Sequence, residues 1–438
     1  MPDLLLQTAL HPHLHGHGHR SSPASPSTAC TTGCSFGNHH HEPSQTPSAS
    51  SSHPNLLSGA SSLSSTGNDI NSAQLADLIA HYGTSSSIAW LDRERYKIWR
   101  PSQPILESDF IPVQGYLRKD PFVFAWGNPL VSSPAALEKT ARAFIAFAEA
   151  NHLRPVWSCV DHDLEAILSG DALGWATVSC IYEDVIDPGH IVELAGMEKD
   201  KEGGHSIRDL RRNLHRAEEE QVDVHEVKRG DWSDKDKEAV EAGIREWKAH
   251  RHGMKLDPMT LEPWVDESHR RYWIAKQKDK VVGVEILART GPLSWQIVKC
   301  ITFHHAPKGT SESLIHAALK DLHLENQYAT ETLPTIVAPE DTSASETTET
   351  PAESRKNRVT VSFGITAADH LEPGHNVGGW KVTVLGKTYQ AVSGIVGLIK
   401  MGQYRNKFLA MHEPMFVCYP ANGFGLIAVG ALLMALRH

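Results

Sequence analysis

The run Leu293-Ser-Trp-Gln-Ile-Val-Lys-Cys-Ile-Thr-Phe303, the turn His304-His-Ala-Pro-Lys-Gly309-Thr-Ser-Glu312 and the stretch Ser313–Gln327 follow one another without interruption. An apolar, β-branched run that ends in a Pro/Gly turn and opens into helical spacing reads as strand, tight turn, helix. Gly309 permits a tight backbone, and the free N–H groups at the start of a helix can hold an anion. The same turn also reads as an ordinary helix cap supplied by Thr310 or Ser311.

Upstream of this unit, Arg271–Ala275 and Val281–Thr290 are strand-like and complete a meander with Leu293–Phe303. They are preceded by a charged helix at Ile207–Gln221, a short strand at Val222–Val227 and a helix at Lys235–His252. Downstream, Val359-Thr-Val-Ser-Phe-Gly-Ile365 alternates as a strand does. The N-terminal half has a similar rhythm. It opens with a short amphipathic helix at Leu75–Tyr82, with strand-like runs at Ser87–Leu91, Ile111–Leu117 and Phe122–Trp126. A long helix follows at Pro134–His152, then strands at Pro155–Cys159 and Trp175–Tyr182. The predicted fold class is α/β (α+β), mixed sheets layered with helices, in two units at 75–204 and 205–438 that resemble diverged copies of one fold.

Residues 1–74 hold 16 Ser, 9 His and 7 Pro with only four charged side chains, too little apolar surface to offset the entropy of ordering, so a disordered tail is expected there. Its alternating His11 to His19 and the run His39-His-His41 are compatible with adventitious metal chelation, but no metal site is assigned. Residues 339–357, rich in Thr, Ser, Glu and Pro, read as a disordered insertion. The chain's 42 Lys+Arg against 52 Asp+Glu give a net charge of −10, so any nucleic-acid partner requires a local basic face. No apolar run reaches the roughly 18–20 residues needed to cross a bilayer. The six cysteines show no metal or disulfide spacing, and no basic n-region opens the chain, so a reducing cytoplasmic setting is expected, with peripheral membrane contact open. The apolar stretch Gly423–Leu436 reads either as a buried closing helix or as an element resting on a membrane.

Three clusters carry possible chemistry. Arg208, Arg211, Arg212, His215 and Arg216 fall within roughly 140° of one helix at about 100° per residue, apart from the Leu210/Leu214 stripe. That face suits either phosphate contacts or plain solvation beside Glu218, Glu219 and Glu220. Lys308 and Gly309 stand at the turn described above. Tyr404-Arg405-Asn406-Lys407-Phe408 is a cationic aromatic patch in which Lys407 suits stabilisation of a developing oxyanion. His304, His305, Asp369 and His370 are candidates for general base work near predicted strand ends. Walker, Gly-x-Ser-x-Gly, His-Glu-x-x-His and Cys-x-x-Cys signatures do not occur.

In order along the chain, Phe122-Val-Phe-Ala-Trp-Gly-Asn-Pro, Trp175–Glu183, Arg208-Asp-Leu-Arg-Arg-Asn-Leu-His-Arg-Ala-Glu, Ala306-Pro-Lys-Gly, Phe363-Gly-Ile-Thr-Ala-Ala and Tyr404-Arg-Asn-Lys-Phe span nearly all of residues 85–420. Together they resemble the C-terminal catalytic domain of bacterial phosphatidylglycerol lysyltransferases, the multiple peptide resistance factor type. The resemblance implies tandem GNAT-like acyltransferase domains that take an amino acid from aminoacyl-tRNA and esterify a lipid hydroxyl. The Ser/His tail and the acidic insertion are similar to features of freestanding fungal members that attach glycine to ergosterol.

The partners so implied are charged tRNA, with Gly-tRNA favoured, and a membrane sterol or phospholipid, without DNA. No cofactor is implied beyond aminoacyl-tRNA as co-substrate. With that chemistry in view, the clusters read above give Lys407, His304 and Asp369 as the catalytic candidates and Arg208, Arg211, Arg212, Arg216, Lys308, Gly309 and Arg405 as the expected tRNA contacts. The bacterial pattern has an acid about eight residues before Ala-Pro-x-Gly. Here that stretch reads Ile297-Val-Lys-Cys-Ile-Thr and has none, so either His304 or Asp369 substitutes or no strong base is required. Phosphatidylglycerol as acceptor is the first alternative. A CoA-dependent N-acetyltransferase is the second, although Ala306 and Ser311 stand where its Arg/Gln-x-x-Gly-x-Gly/Ala signature needs other residues.

Overall fold

Apolar residues at every position of a strand require cover on both faces. Phe122–Trp126, strand β3, shows how the sheet obtains it: Phe122, Phe124 and Trp126 enter one core cluster while Val123 and Ala125 enter another. The computed structural model describes residues 70–197, 204–250, 263–332, 358–378, 404–420 and 425–436, with four single positions between 382 and 389. Most of the Ser/His/Pro tail and the 339–357 insertion lie outside the described residues.

The described strands are β1 (Lys97–Trp99), β2 (Gln114–Lys119), β3, β4 (Arg154–Val160), β5 (Ala176–Ile186), β6 (Val222–Val227), β7 (Arg270–Gln277), β8 (Lys280–Gly291), β9 (Ser294–Thr302), β10 (Thr360–Pro373) and β11 (Met411–Tyr419). They form one mixed sheet in the order β1-β2-β3-β4-β11-β5-β10-β9-β8-β7-β6. The pairs β3/β4 and β9/β10 are parallel, and the other neighbours are antiparallel. The described helices are α1 (Ser72–Tyr82), α2 (Leu137–Ala150), α3 (His162–Ser169), α4 (Pro188–Gly196), α5 (Gly204–Glu219), α6 (Asp234–His250) and α7 (Thr310–Thr332), with a last helix at Leu426–Leu436. The mixed α/β class and the helix-covered sheet agree with the sequence reading.

The boundary expected at 204/205 falls at the first residue of α5. Strands from both sides of it share the sheet, because β11 inserts between β4 and β5 and β10 flanks β5 on the other side.

Among the described residues, four core clusters divide the sheet. Around β7 and β8, Trp273, Ala275, Val282 and Leu287 pack with α4, α5 and α7, while Tyr272, Ile274, Val284 and Ile286 pack with Val240 and Ile244 of α6. In the last helix, Ala428, Ala431, Leu432 and Leu436 are buried in the cluster that holds Leu75 and Ile79 of α1. Ile427 and Met434, seven residues apart, point outward at 80% and 56% exposure. Among the described residues no helix is long and apolar enough to cross a membrane.

One strand expectation fails. Ser87–Leu91 is a 3₁₀ turn. The Ser87 hydroxyl donates to Thr84 O at 2.7 Å and accepts from Thr84 N at 2.9 Å, and the Ser86 hydroxyl donates to Cys159 O at 3.1 Å. Local serine bonds of this kind compete with a sheet ladder.

Candidate functional site

The parallel strands β9 and β10 pair only over Ser294–Gln296 and Thr360–Ser362. Beyond that point β9 leads into the turn before α7, whereas β10 continues along β5 past Gly364, whose φ of +78° marks a break in register. The segment 404–408 joins the two sides. On the β10 side Arg405 lies 5.4 Å over the Phe363 ring, and on the α7 side Lys407 reaches Glu312.

Gly309 sets the position of the α7 turn. Its φ is +92°, and a Cβ there would lie 2.0 Å from the carbonyl oxygen of Asn213 in α5. This close approach of backbone to backbone is why the site is glycine. It also brings α5 within reach of the first turn of α7. Asn213 Nδ2 and Lys407 Nζ both donate to Glu312 Oε1 at 2.8 Å, and Ser311 Oγ donates to Glu312 Oε2 at 2.8 Å. Glu312 is buried, and an acid in the first helical turn is favoured by the helix dipole. It is the meeting point of three chain segments.

Beneath this hub lies a second acid. Glu285 of β8 is fully buried, and among the described residues neither of its carboxyl oxygens has a hydrogen-bond partner. It stands directly across from Cys300 of β9. Cys300 Sγ donates to Ser311 O at 3.8 Å, linking the acid to the hub. Burial holds the Glu285 carboxyl well above the usual carboxylate range. Burial first, then Glu285 and Glu312, raises the Cys300 thiol. Burial, followed by Glu312, raises the Tyr404 phenol, whose ring lies 5.0 Å from Lys407 Nζ. Ile297–Thr302 has no acid of its own, and Glu285 stands on the strand beside it, in register with Cys300.

Several site expectations need correction. Arg405 is not a surface contact. It is buried, with Nη1 bonded to Asp184 Oδ2 at 2.7 Å, to Gly364 O at 3.4 Å and to Thr366 Oγ1. Burial pushes its guanidinium below the usual value, with Asp184 acting in the opposite direction. Arg211 is half-buried, and both its Nε and its Nη2 donate to Leu194 O near the C-terminus of α4, with the Nε bond at 3.1 Å. A cation satisfying late helix carbonyls is a structural cap.

Arg208, Arg212, Arg216 and Lys308 are exposed, as the sequence reading requires, with Arg212 paired to Asp209 at 2.7 Å and Arg216 3.4 Å from Asn213 Oδ1. Lys407 is an ion-pair partner of Glu312 and not an isolated cation. His304 is exposed in a turn where its ring stacks on His250 at 5.1 Å and meets His305 at 4.7 Å. Asp369 is exposed on β10 beside the His370–Glu372 pair. The hydrogen bonds that assemble the Glu312 hub involve neither His304 nor Asp369. Among the described residues no group of three or more His, Cys, Asp or Glu side chains is placed to hold a metal ion.

No family model and no curated protein matches this sequence. Among solved structures, the chain is similar to the C-terminal domain of a protein from Agrobacterium fabrum provisionally named a lysylphosphatidylglycerol synthetase. Identity is 14% and the TM-score is 0.56, over 83% of this chain and 94% of that one. It is also similar to L-PGS from Bacillus licheniformis, at 13% identity and a TM-score of 0.55, over 82% of this chain and 94% of that one. At these identities the likeness establishes the fold, which this protein shares with both over most of its length.

Proposed function

We propose that this protein is an aminoacyltransferase that moves an amino acid from aminoacyl-tRNA to a hydroxyl of a membrane lipid, with glycine and a sterol as the favoured pair. The observation that carries this reading is the placement of the exposed cations Arg208, Arg212, Arg216 and Lys308 around the Gly309–Asn213 contact that positions the Glu312–Lys407 hub. The fold shared with lysylphosphatidylglycerol synthetases and the ordered sequence resemblance support the same chemistry. An aminoacyl ester is already activated, so its exchange onto an alcohol needs alignment and oxyanion stabilisation more than a strong base. Lys407, fixed by Glu312, supplies a positioned positive charge for that oxyanion. The outward Ile427 and Met434 of the last helix are the apolar side chains we assign to lipid contact.

The test uses purified full-length protein, tRNA charged with labelled glycine or lysine, and vesicles containing either ergosterol or phosphatidylglycerol. Label enters the organic phase from sterol vesicles, is released by base, and is lost when the tRNA is first digested with ribonuclease. Transfer to phosphatidylglycerol alone changes the acceptor. Label that never leaves tRNA with folded protein ends the proposal.

The cationic face gives a separate prediction. For every phosphate that the protein no longer neutralises, the slope of log affinity against log salt becomes shallower by roughly 0.7–0.9. Arg208→Ala, Arg212→Ala and Arg216→Ala each flatten that slope in filter-binding titrations with tRNA. Arg211→Ala leaves it unchanged, because this side chain is committed to Leu194 O. Equal slopes for all four variants would mean the face is merely solvated.

A further inference from the structure

The buried pair that removes Arg405 from the protein surface has a third member. Asp184 of β5 is fully buried, and its two oxygens are divided between partners. Oδ2 accepts from Arg405 Nη1 at 2.7 Å and from Thr366 Oγ1, while Oδ1 lies 2.6 Å from Nδ1 of His412, its cross-strand neighbour on β11. The His412 side chain is 44% exposed. A carboxylate paired with a guanidinium only accepts hydrogen bonds, so in the neutral ring Nδ1 carries the proton and Nε2 carries the lone pair. No partner for Nε2 occurs among the described residues. A buried acid that fixes the tautomer and aim of a half-exposed imidazole is the arrangement that makes histidine a directed proton acceptor.

The pair is also continuous with the hub. Arg405, which holds Asp184, is two residues from Lys407, which is held by Glu312.

We propose that His412, oriented by Asp184, is the general base of the transfer, a role resting on the aminoacyltransferase reading. Nε2 takes the proton of the acceptor hydroxyl as its oxygen bonds to the aminoacyl carbonyl carbon. When the bond from that carbon to the ribose oxygen of tRNA breaks, the ribose oxygen receives the proton back from the imidazolium. Asp184 is a positioning residue, and Arg405 and Thr366 keep its second oxygen occupied.

Two measurements test this. In the vesicle assay above, His412→Ala and His412→Gln lower the transfer rate by about 10²-fold or more, the usual contribution of a positioned base. Added imidazole restores part of the His412→Ala rate, a rescue that a purely structural histidine would not show. Far-ultraviolet dichroism and melting curves matching the parent show that both variants fold. The second measurement needs no substrate: ¹⁵N-edited NMR of the full chain shows the His412 ring protonated at Nδ1 with a bare Nε2, and Asp184→Asn abolishes that preference. Parent-like transfer by both variants, or an Nε2–H tautomer in the parent protein, overturns the assignment. If the parent transfers no label to lipid, the aminoacyltransferase reading fails and takes the role with it, while the tautomer result still reports on the pair itself.

Discussion

Arg405→Ala lowers the free energy of unfolding by about 3–5 kcal/mol, the usual cost of stripping one partner from a buried ion pair. The guanidinium is 1% exposed and Asp184 is fully buried, so water cannot replace the lost donor. Asp184 keeps His412 and Thr366, which places the expected loss toward the lower end of that range. Against a typical total of about 5–15 kcal/mol, even a loss of about 3 kcal/mol is severe. Arg405→Lys recovers little of it, since one ammonium cannot reproduce the planar reach to Asp184, Thr366 and Gly364 O. Lys139→Ala is the control: this lysine is exposed, and removing its pair with Glu107 shifts stability far less than the loss of Arg405 does. Urea unfolding of the three variants decides the matter. A loss below about 1 kcal/mol for Arg405→Ala would show that Asp184 is not held as a buried anion.

What the sequence revealed and what it concealed differ in the distance between interacting residues. The run Phe122–Trp126, the spacing in α2 and the strand–turn–helix passage through Gly309 announce themselves within a window of about 18 residues, where periodicity and turn chemistry operate. Ser87–Leu91 misled because an apolar run flanked by serines satisfies both a strand and a serine-closed turn, and burial of Trp90 against Trp126 O decides between them. The Glu312 hub draws on Asn213 and Lys407, 99 and 95 residues away, and no local pattern specifies either partner. Arg405 looked like part of a cationic patch because its neighbours in sequence are polar. Its partner Asp184 lies 221 residues upstream and reaches it only through the order β11-β5-β10. Glu285 hid for the same reason: one acid in a twelve-residue β8 reads as an edge or solvent position until the pairing with Cys300 is known.

Glu285→Gln makes the protein more stable than its parent at neutral pH and leaves the two nearly equal at pH 4. Burial holds this carboxyl's proton in the folded chain well above 4.5, the ordinary glutamate value at which the unfolded chain releases it. Between those two values the native state binds more protons than the unfolded state, so the parent's stability falls as pH rises. The contribution of this group to that fall is at most roughly 1.4 kcal/mol per pH unit. Below 4.5 both states are protonated and the penalty vanishes. Glutamine has nearly the same shape as the neutral acid and does not titrate, so the variant escapes the fall while still leaving polar atoms unpaired beside Cys300. Urea unfolding at pH 4, 5.5, 7 and 8.5 should therefore give curves of stability against pH that diverge upward for the variant. Parallel curves would mean that Glu285 ionises normally inside the fold, which would require a cation or donor at its two open oxygens. The same variant separates two uses of the acid. Transfer retained within a few fold assigns Glu285 a neutral, shape-keeping role beneath the hub, whereas a loss of about 10²-fold with the stability gain intact would show that its proton must move during the reaction.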